Sequence, residues 1–221
     1  MDLLEAVLDI LFPPKCLLCQ RILERGQQDL CPACRAAAPV CPVSKNKYPF
    51  IDSWLSLWYY EGDARDSLRR FKFLGQRSYA VGYGRLLAMK LQQEDRQADL
   101  ITWVPVSKLR RFKRGYDQDQ LIAEAISREL GIPCACCLRK VRHNRPQSGI
   151  TGLARRRANV LNAYTPVAPE RFTGRKVLLI DDILTTGATA GECARVLLTA
   201  GAAQVHFASV GAANKNKEHE R

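Results

Sequence analysis

At 221 residues, 47% hydrophobic and 25% charged, the chain can bury one substantial core plus a small appendage, which excludes a disordered polypeptide. Its formal net charge of +12 favours polyanionic partners: nucleic acid, anionic lipid or a multiply phosphorylated small molecule. No stretch approaches the roughly 20 apolar residues of a membrane span, so the nine cysteines are expected in a reducing compartment, where patterned thiols more often bind metal than pair as disulfides.

The opening MDLLEAVLDILF has helical apolar spacing, three acids and no base. A secretory signal needs a basic start, so a cytoplasmic protein is expected. After Pro13 and Pro14 come CLLC and CPAC, in which Cys16, Cys19, Cys31 and Cys34 have the spacing C-x2-C-x11-C-x2-C. Each pair can present two thiolates to one zinc ion, and the intervening loop closes the tetrahedron. Zinc would then supply folding energy to a segment too short for a core of its own. Four unrelated cysteines or a redox dithiol are the competing readings. A closed four-thiolate site has no open position for water and is structural. Cys41 is left over, and Cys134, Cys136, Cys137 and Cys193 read as buried, inert thiols. Residues 1–50 are therefore expected to form an amphipathic helix and a zinc-finger module, and 51–221 a second domain.

WLSLWYY (54–60) predicts a strand; ARDSLRRFKFLGQ and YAVGYGRLLAMKLQQ predict helices. From residue 100 the pattern alternates. LITWVPV predicts a strand, DQDQLIAEAISREL a helix closed by Gly131 and Pro133, and CACC (134–137) a further strand. KVLLIDD, the helical GECARVLLTAGA and the strand QVHFASV follow, so the fold class is α/β, with a parallel sheet flanked by helices. Between them RKVRHNRPQSGITGLARRR (139–157) carries seven Lys or Arg and no acid, too polar for a core. NKNKEHER at the end is expected to fray.

RKVLLIDDILTTGATA (175–190) carries the chemistry. With KVLLI as a central strand, Asp181 and Asp182 fall at its carboxyl end, where open α/β sheets bind ligands. The small residues of LTTGAT let backbone N–H groups turn toward an anion at the start of a helix near Ala188, with the hydroxyls of Thr185, Thr186 and Thr189 as further donors. Two acids beside a phosphate cradle suit a sugar phosphate. The stretch has neither the G-K-[ST] of a Walker loop nor G-x-G-x-x-G. A glycine turn with an aspartate cap is the plainer alternative.

The same stretch resembles the phosphoribosyl pyrophosphate (PRPP) loop of type I phosphoribosyltransferases. The chain as a whole is similar to the ComF family of competence proteins, including its GntX-like members. Five blocks in order carry the resemblance: the cysteine pairs, LRRFKFLGQR (68–77), VPV with RRFKRGYDQ (104–118), RPQSGITGLARRRANVLNAY (145–164) and the PRPP loop. The family's common RGFNQ is RGYDQ here, and of its further cysteine cluster only Cys41 remains.

That resemblance implies a type I phosphoribosyltransferase-like fold with Asp181 and Asp182 holding the ribose hydroxyls and Thr185, Thr186, Gly187, Ala188 and Thr189 the 5′-phosphate. Ser107 and Lys108 would meet the pyrophosphate, with Lys108 joining the two acids as the catalytic set. Mg²⁺ would bridge pyrophosphate and ribose oxygens, and the basic run 139–157 would close over the site. The family's link to natural competence, DNA uptake and transformation implies single-stranded DNA and a competence helicase as partners. Arg110, Arg111, Lys113, Arg114, Arg142, Arg145, Arg155, Arg156 and Arg157 would track its phosphates, with Phe112, Tyr116 and Tyr164 stacking its bases. The cations could equally serve the pyrophosphate and a solvated surface. A nucleobase-salvage phosphoribosyltransferase is the alternative function, and a scaffold indifferent to Asp181 and Asp182 the third.

Overall fold

A computed structural model describes residues 13–43, 47–142 and 158–214, with only the backbone of Lys108. The expected amphipathic start (1–12), the basic positions Arg145, Arg155, Arg156 and Arg157, and the tail from 215 lie outside the described residues, as does the Lys108 side chain.

The short α1 (Pro32–Ala37) belongs to the cysteine module; β1 (Ser53–Tyr59), α2 (Gly62–Phe73) and α3 (Tyr79–Gln93) follow. Next come β2 (Leu100–Trp103), α4 (Lys108–Arg114), α5 (Gln118–Leu130), β3 (Leu138–Lys140) and β4 (Tyr164–Pro166). The chain then forms β5 (Lys176–Leu184), α6 (Ala188–Thr199) and β6 (Gln204–Ala212). A four-stranded sheet has the order β1-β6-β5-β2, with every pairing parallel, while β3 and β4 form a separate antiparallel pair. Strands covered on both faces need apolar side chains at odd and even positions alike, which is why Val177 to Ile180 are all buried.

The two faces carry separate cores. Leu178 and Ile180 pack with Leu68, Phe71, Tyr83, Ile122 and Ile126 of α2, α3 and α5, whereas Val177 and Leu179 pack with Ala190, Cys193 and Leu197 of α6. α5, which follows β2 by way of α4, therefore lies on one face and α6, which follows β5, on the other. Such a reversal opens a crevice at the carboxyl ends of the two strands. α3 and α5 approach closely at Gly84, where a Cβ would lie 2.3 Å from that of Ala125.

Three sequence expectations shift here. β2 stops at Trp103, short of LITWVPV, because Pro105 has no N–H to pair; Val104 N still donates to the Ile180 carbonyl at 2.9 Å. CACC is not a strand of its own: Cys134 makes a single parallel bridge to Ile101. β5 runs through both aspartates to Leu184, since β6 pairs with it that far, so the acids lie within the strand.

The cysteine module shares a core with the sheet. Leu17, Leu18, Leu23 and Leu30 belong to the same apolar cluster as Phe71 and Tyr83. On α2, Arg70 donates to the Leu17 and Leu18 carbonyls at 3.2 and 2.5 Å, and Ser67 also donates to Leu17. Arg85 of α3 grips both oxygens of Asp29 at 2.9 and 3.1 Å. Residues 39–41 run on along the outer edge of β1, where Val40 bridges Trp58.

Candidate functional site

Alternation along β5 sends Asp182 to the face of α2 and α5 and Asp181 to the face of α6. β2 ends opposite Ile180, so the crevice opens beside both acids. Asp117 starts the next wall: its Oδ1 accepts from the Asp119 and Gln120 N–H groups at 3.2 and 3.4 Å, capping α5, and its Oδ2 accepts from Val106 N at 3.2 Å. That cap aims Gln118 and Asp119, 3% and 2% exposed, at the acid pair.

Gln118 Nε2 donates to Asp182 Oδ2 at 3.0 Å, and Lys72 Nζ of α2 makes an ion pair with the same oxygen at 2.9 Å. Asp119, Asp181 and Asp182 each have a carboxylate oxygen within 4.8 Å of the others. Three acids this close cannot all ionise cheaply. Burial, then the Asp182 charge, push Asp181 up to about 8, and burial with the charges of Asp182, Asp181 and Asp117 pushes Asp119 well above the usual carboxylate range. Burial works to lower the Lys72 ammonium, but Asp182, backed by Asp119 and Asp181, outweighs it and leaves Lys72 raised. Asp119 Oδ1 and Gln118 Oε1 are buried acceptors with no hydrogen-bond partner among the described residues. A crevice with surplus acceptors suits a ligand rich in hydroxyls and accompanied by positive charge.

From the other face Lys140 of β3 donates to the Tyr164 hydroxyl at 3.1 Å, and burial, then nearby Arg110, lower its ammonium. The chain after β5 turns at Gly187, whose φ of +76° favours glycine, and Thr186 Oγ1 accepts from Ala188 N at 3.4 Å. A Cβ on Gly187 would lie 2.1 Å from the Tyr48 ring, so only glycine lets the turn pass beneath that ring. Thr185 is exposed and Thr186 and Thr189 are half-buried. On the far side of the crevice Ser107 caps α4, accepting from Arg110 N at 3.4 Å.

α4 presents Arg111, Phe112 and Lys113 outward, with Phe112 87% exposed. Arg110 and Arg114 are half-buried, and Arg114 lies 5.2 Å from the exposed Phe73 ring. Arg142 is exposed but donates to the carbonyls of Asn159 and Leu161. The expected base-stacking set contracts to Phe112. Tyr116 and Tyr164 are buried, their rings packed in the core and their hydroxyls engaged by the Phe71 carbonyl and Lys140.

Cys16, Cys19, Cys31 and Cys34 bring their sulfurs within 4.8 Å of one another. Cys19 and Cys31 Sγ are 3.8 Å apart, the edge of a tetrahedron with Zn–S bonds of about 2.3 Å. The four thiols fit a structural zinc ion. Cys41 is buried, and its thiol faces the Pro42 carbonyl.

Residues 7–47 match the double zinc ribbon domain family, and residues 121–221 the phosphoribosyl transferase domain family. The DNA utilization protein YhgH of Salmonella typhimurium is 30% identical over 202 residues, 86% of each chain. The chain belongs to the ComF family of phosphoribosyltransferase-like proteins. Competence protein F of Haemophilus influenzae is 27% identical, covering 86% of this chain and 93% of that protein, and competence protein ComFC of Bacillus subtilis 27%, covering 85% and 79%. Among solved structures, glutamine PRPP amidotransferase from B. subtilis is 25% identical with a TM-score of 0.41, covering 59% of this chain and 26% of that one. Adenine phosphoribosyltransferase from Leishmania tarentolae is 15% identical at a TM-score of 0.40, covering 61% and 71%.

The departures of this ComF-family chain acquire physical reasons. The tyrosine of RGYDQ adds the hydroxyl that holds the Phe71 carbonyl, and its aspartate caps a helix, as an asparagine can. Sequence reasoning missed Lys72, Gln118, Asp119 and Tyr48. Lys72 stands within LRRFKFLGQR, noted only for its resemblance, and Asp119 follows the capping Asp117 with nothing in the local pattern to set it apart.

Proposed function

We propose that this chain binds PRPP with Mg²⁺ in the crevice between β2 and β5 and, in the setting of natural competence, handles incoming single-stranded DNA in the cytoplasm. The observation that carries the reading is the pairing of Asp181 and Asp182 with the glycine turn into α6, at the carboxyl end of a central parallel strand. The acids accept hydrogen bonds from the ribose hydroxyls. The turn and its threonines take the 5′-phosphate, and the pyrophosphate extends toward Ser107 and Lys108. A Mg²⁺ ion bound to the pyrophosphate would neutralise the leaving group, and the unpartnered Asp119 oxygen could face it. Breaking the C1–pyrophosphate bond would require chiefly neutralisation of the leaving group, which Lys140, Arg110 and the basic run can supply.

DNA handling is supported by the names of the relatives and by the outward-facing Arg111, Phe112 and Lys113. A helicase that draws the strand inward is the corresponding protein partner. Anisotropy of a labelled single strand at near-physiological salt, with and without Mg·PRPP, tests both parts in wild type and Asp182→Asn. Saturable binding that PRPP changes in wild type but not in the variant is expected. Absence of binding to DNA, with pyrophosphate released from PRPP in the presence of a free nucleobase, would instead establish the salvage enzyme.

A further inference from the structure

The acid pair is reached by a residue from far upstream. Lys72 follows Phe71, whose side chain is fully buried and whose carbonyl accepts the Tyr116 hydroxyl, so the backbone that carries it is fixed on both counts. Its side chain is only 16% exposed. A lysine near the end of an amphipathic helix ordinarily extends its ammonium into water. Lys72 instead turns inward to Asp182.

We propose, on the basis of the sugar-phosphate reading above, that Lys72 is a positioning residue of that site: with Gln118 it holds Oδ2 of Asp182, fixing that carboxylate and leaving Oδ1 as the acceptor for a ribose hydroxyl. Both recorded contacts of the carboxylate, at 2.9 and 3.0 Å, fall on Oδ2. Asp182 cannot then turn without breaking a charge-assisted bond in a crevice that is mostly shielded from water. The groups facing this ion pair explain why a fixed cation is needed. α5 contributes Asp119 and, behind it, Asp117; β5 contributes Asp181; Tyr83 of α3 lies within range of the Asp182 charge. From the other face Lys140, Tyr164 and Cys193 act on or respond to Asp181. Among the described residues Lys72 is the one cation in an ion pair with the trio. Without it, Asp181 and Asp119 lose a cation that favours their charged forms, and the Asp182 carboxylate is free to turn Oδ1 away from the ribose.

The test uses the full-length, zinc-loaded protein as wild type, Lys72→Met, Lys72→Gln and Lys72→Arg. PRPP affinity with Mg²⁺ is measured by calorimetry from pH 6 to 9. The two neutral variants are expected to reach their affinity plateau at least about one pH unit higher than wild type, hence to bind about tenfold more weakly near pH 6.5 and to recover at alkaline pH. Lys72→Arg is expected to follow wild type. If Lys72→Met fails to fold, Lys72→Gln carries the comparison. An equal loss at every pH would overturn the proposal, because Lys72 would then be a direct phosphate ligand. Unchanged or tighter binding would overturn it too, marking an ion pair that PRPP merely displaces. Carboxyl ¹³C titration of the ligand-free proteins gives a readout that does not involve PRPP: the midpoints of Asp119 and Asp181 move upward in Lys72→Met and Lys72→Gln. Unmoved midpoints would sink the positioning role, whereas midpoints that move in the variants while wild type binds no PRPP would sink the sugar-phosphate reading alone.

Discussion

Asp181 is held in the folded chain at a cost that depends on pH. Its carboxyl is raised to about 8, first by burial and then by Asp182, above the ordinary aspartate value that the unfolded chain would show. Below pH 4 both states carry the proton, and no difference arises. Between about pH 4 and 8 the unfolded chain has released a proton that the native state retains, so stability falls as pH rises and levels off above that window. Asp119 beside it is raised as well, so the titration is shared and not that of one residue. Asp181→Asn removes the penalty and is expected to raise stability at pH 8 by at least about 1 kcal/mol, or about 2–4 °C in Tm, with little gain at pH 4. Calorimetric scans at the two pH values check it; an equal change at both would show that the acid titrates normally. Asp181 and Asp182 were readable in the sequence because two adjacent acids directly after an apolar strand are costly unless something uses them. Lys72, Gln118 and Asp119 were not, since each is chemically ordinary in its own segment and only the packing of α2 and α5 against β5 brings them to the pair.

At the scale of elements, the zinc ribbon and α2 form one unit. Leu17, Leu18, Leu23 and Leu30 share a core with α2 and α3, and Arg70 and Ser67 of α2 hold the carbonyls of the first cysteine loop. Removing zinc with a chelator is therefore expected to lower the melting temperature of the whole chain in one cooperative transition. A separate low-temperature transition that leaves the main one in place would show an independent module. Apolar periodicity marked the long elements well: β1, α2, α3, α5, β5, α6 and β6 occur where the pattern put them. It misjudged ends, because Pro105 cuts β2 short while pairing with β6 carries β5 onward to Leu184. Pairing partners are a property of the sheet, and a single segment does not contain them.

For the whole molecule, a net charge of +12 sets the physics of association. Strand binding should weaken steeply as salt rises, since each phosphate neutralised releases a counterion. Replacing the exposed pair Arg111 and Lys113 with alanine is expected to flatten the plot of log K against log salt by about one unit. Phe112→Ala is expected to cost about 1–3 kcal/mol with the slope unchanged, as loss of a stacking platform would. Titrations at several salt concentrations separate the two; equal slopes for wild type and the Arg111/Lys113 variant would place the strand elsewhere. Overall charge was plain from composition, yet composition could not show that Tyr116 and Tyr164 spend their rings on the core.

The path of residues 39–41 bears on how such a chain could be shortened. Cys41 N donates to the Leu57 carbonyl and Tyr59 N to the Pro39 carbonyl, so the outer side of β1 has part of its backbone satisfied by the segment that leaves the ribbon. Lys90 fastens that segment, donating to the carbonyls of Cys41 and Ser56 at 2.6 and 2.7 Å. A chain that began at β1 would keep its aspartates and its glycine turn but expose the uncovered edge of an apolar strand, an invitation to intermolecular pairing. The linker thus protects the sheet from self-association, and deleting the metal-binding module is expected to cause aggregation before any effect on chemistry could be seen.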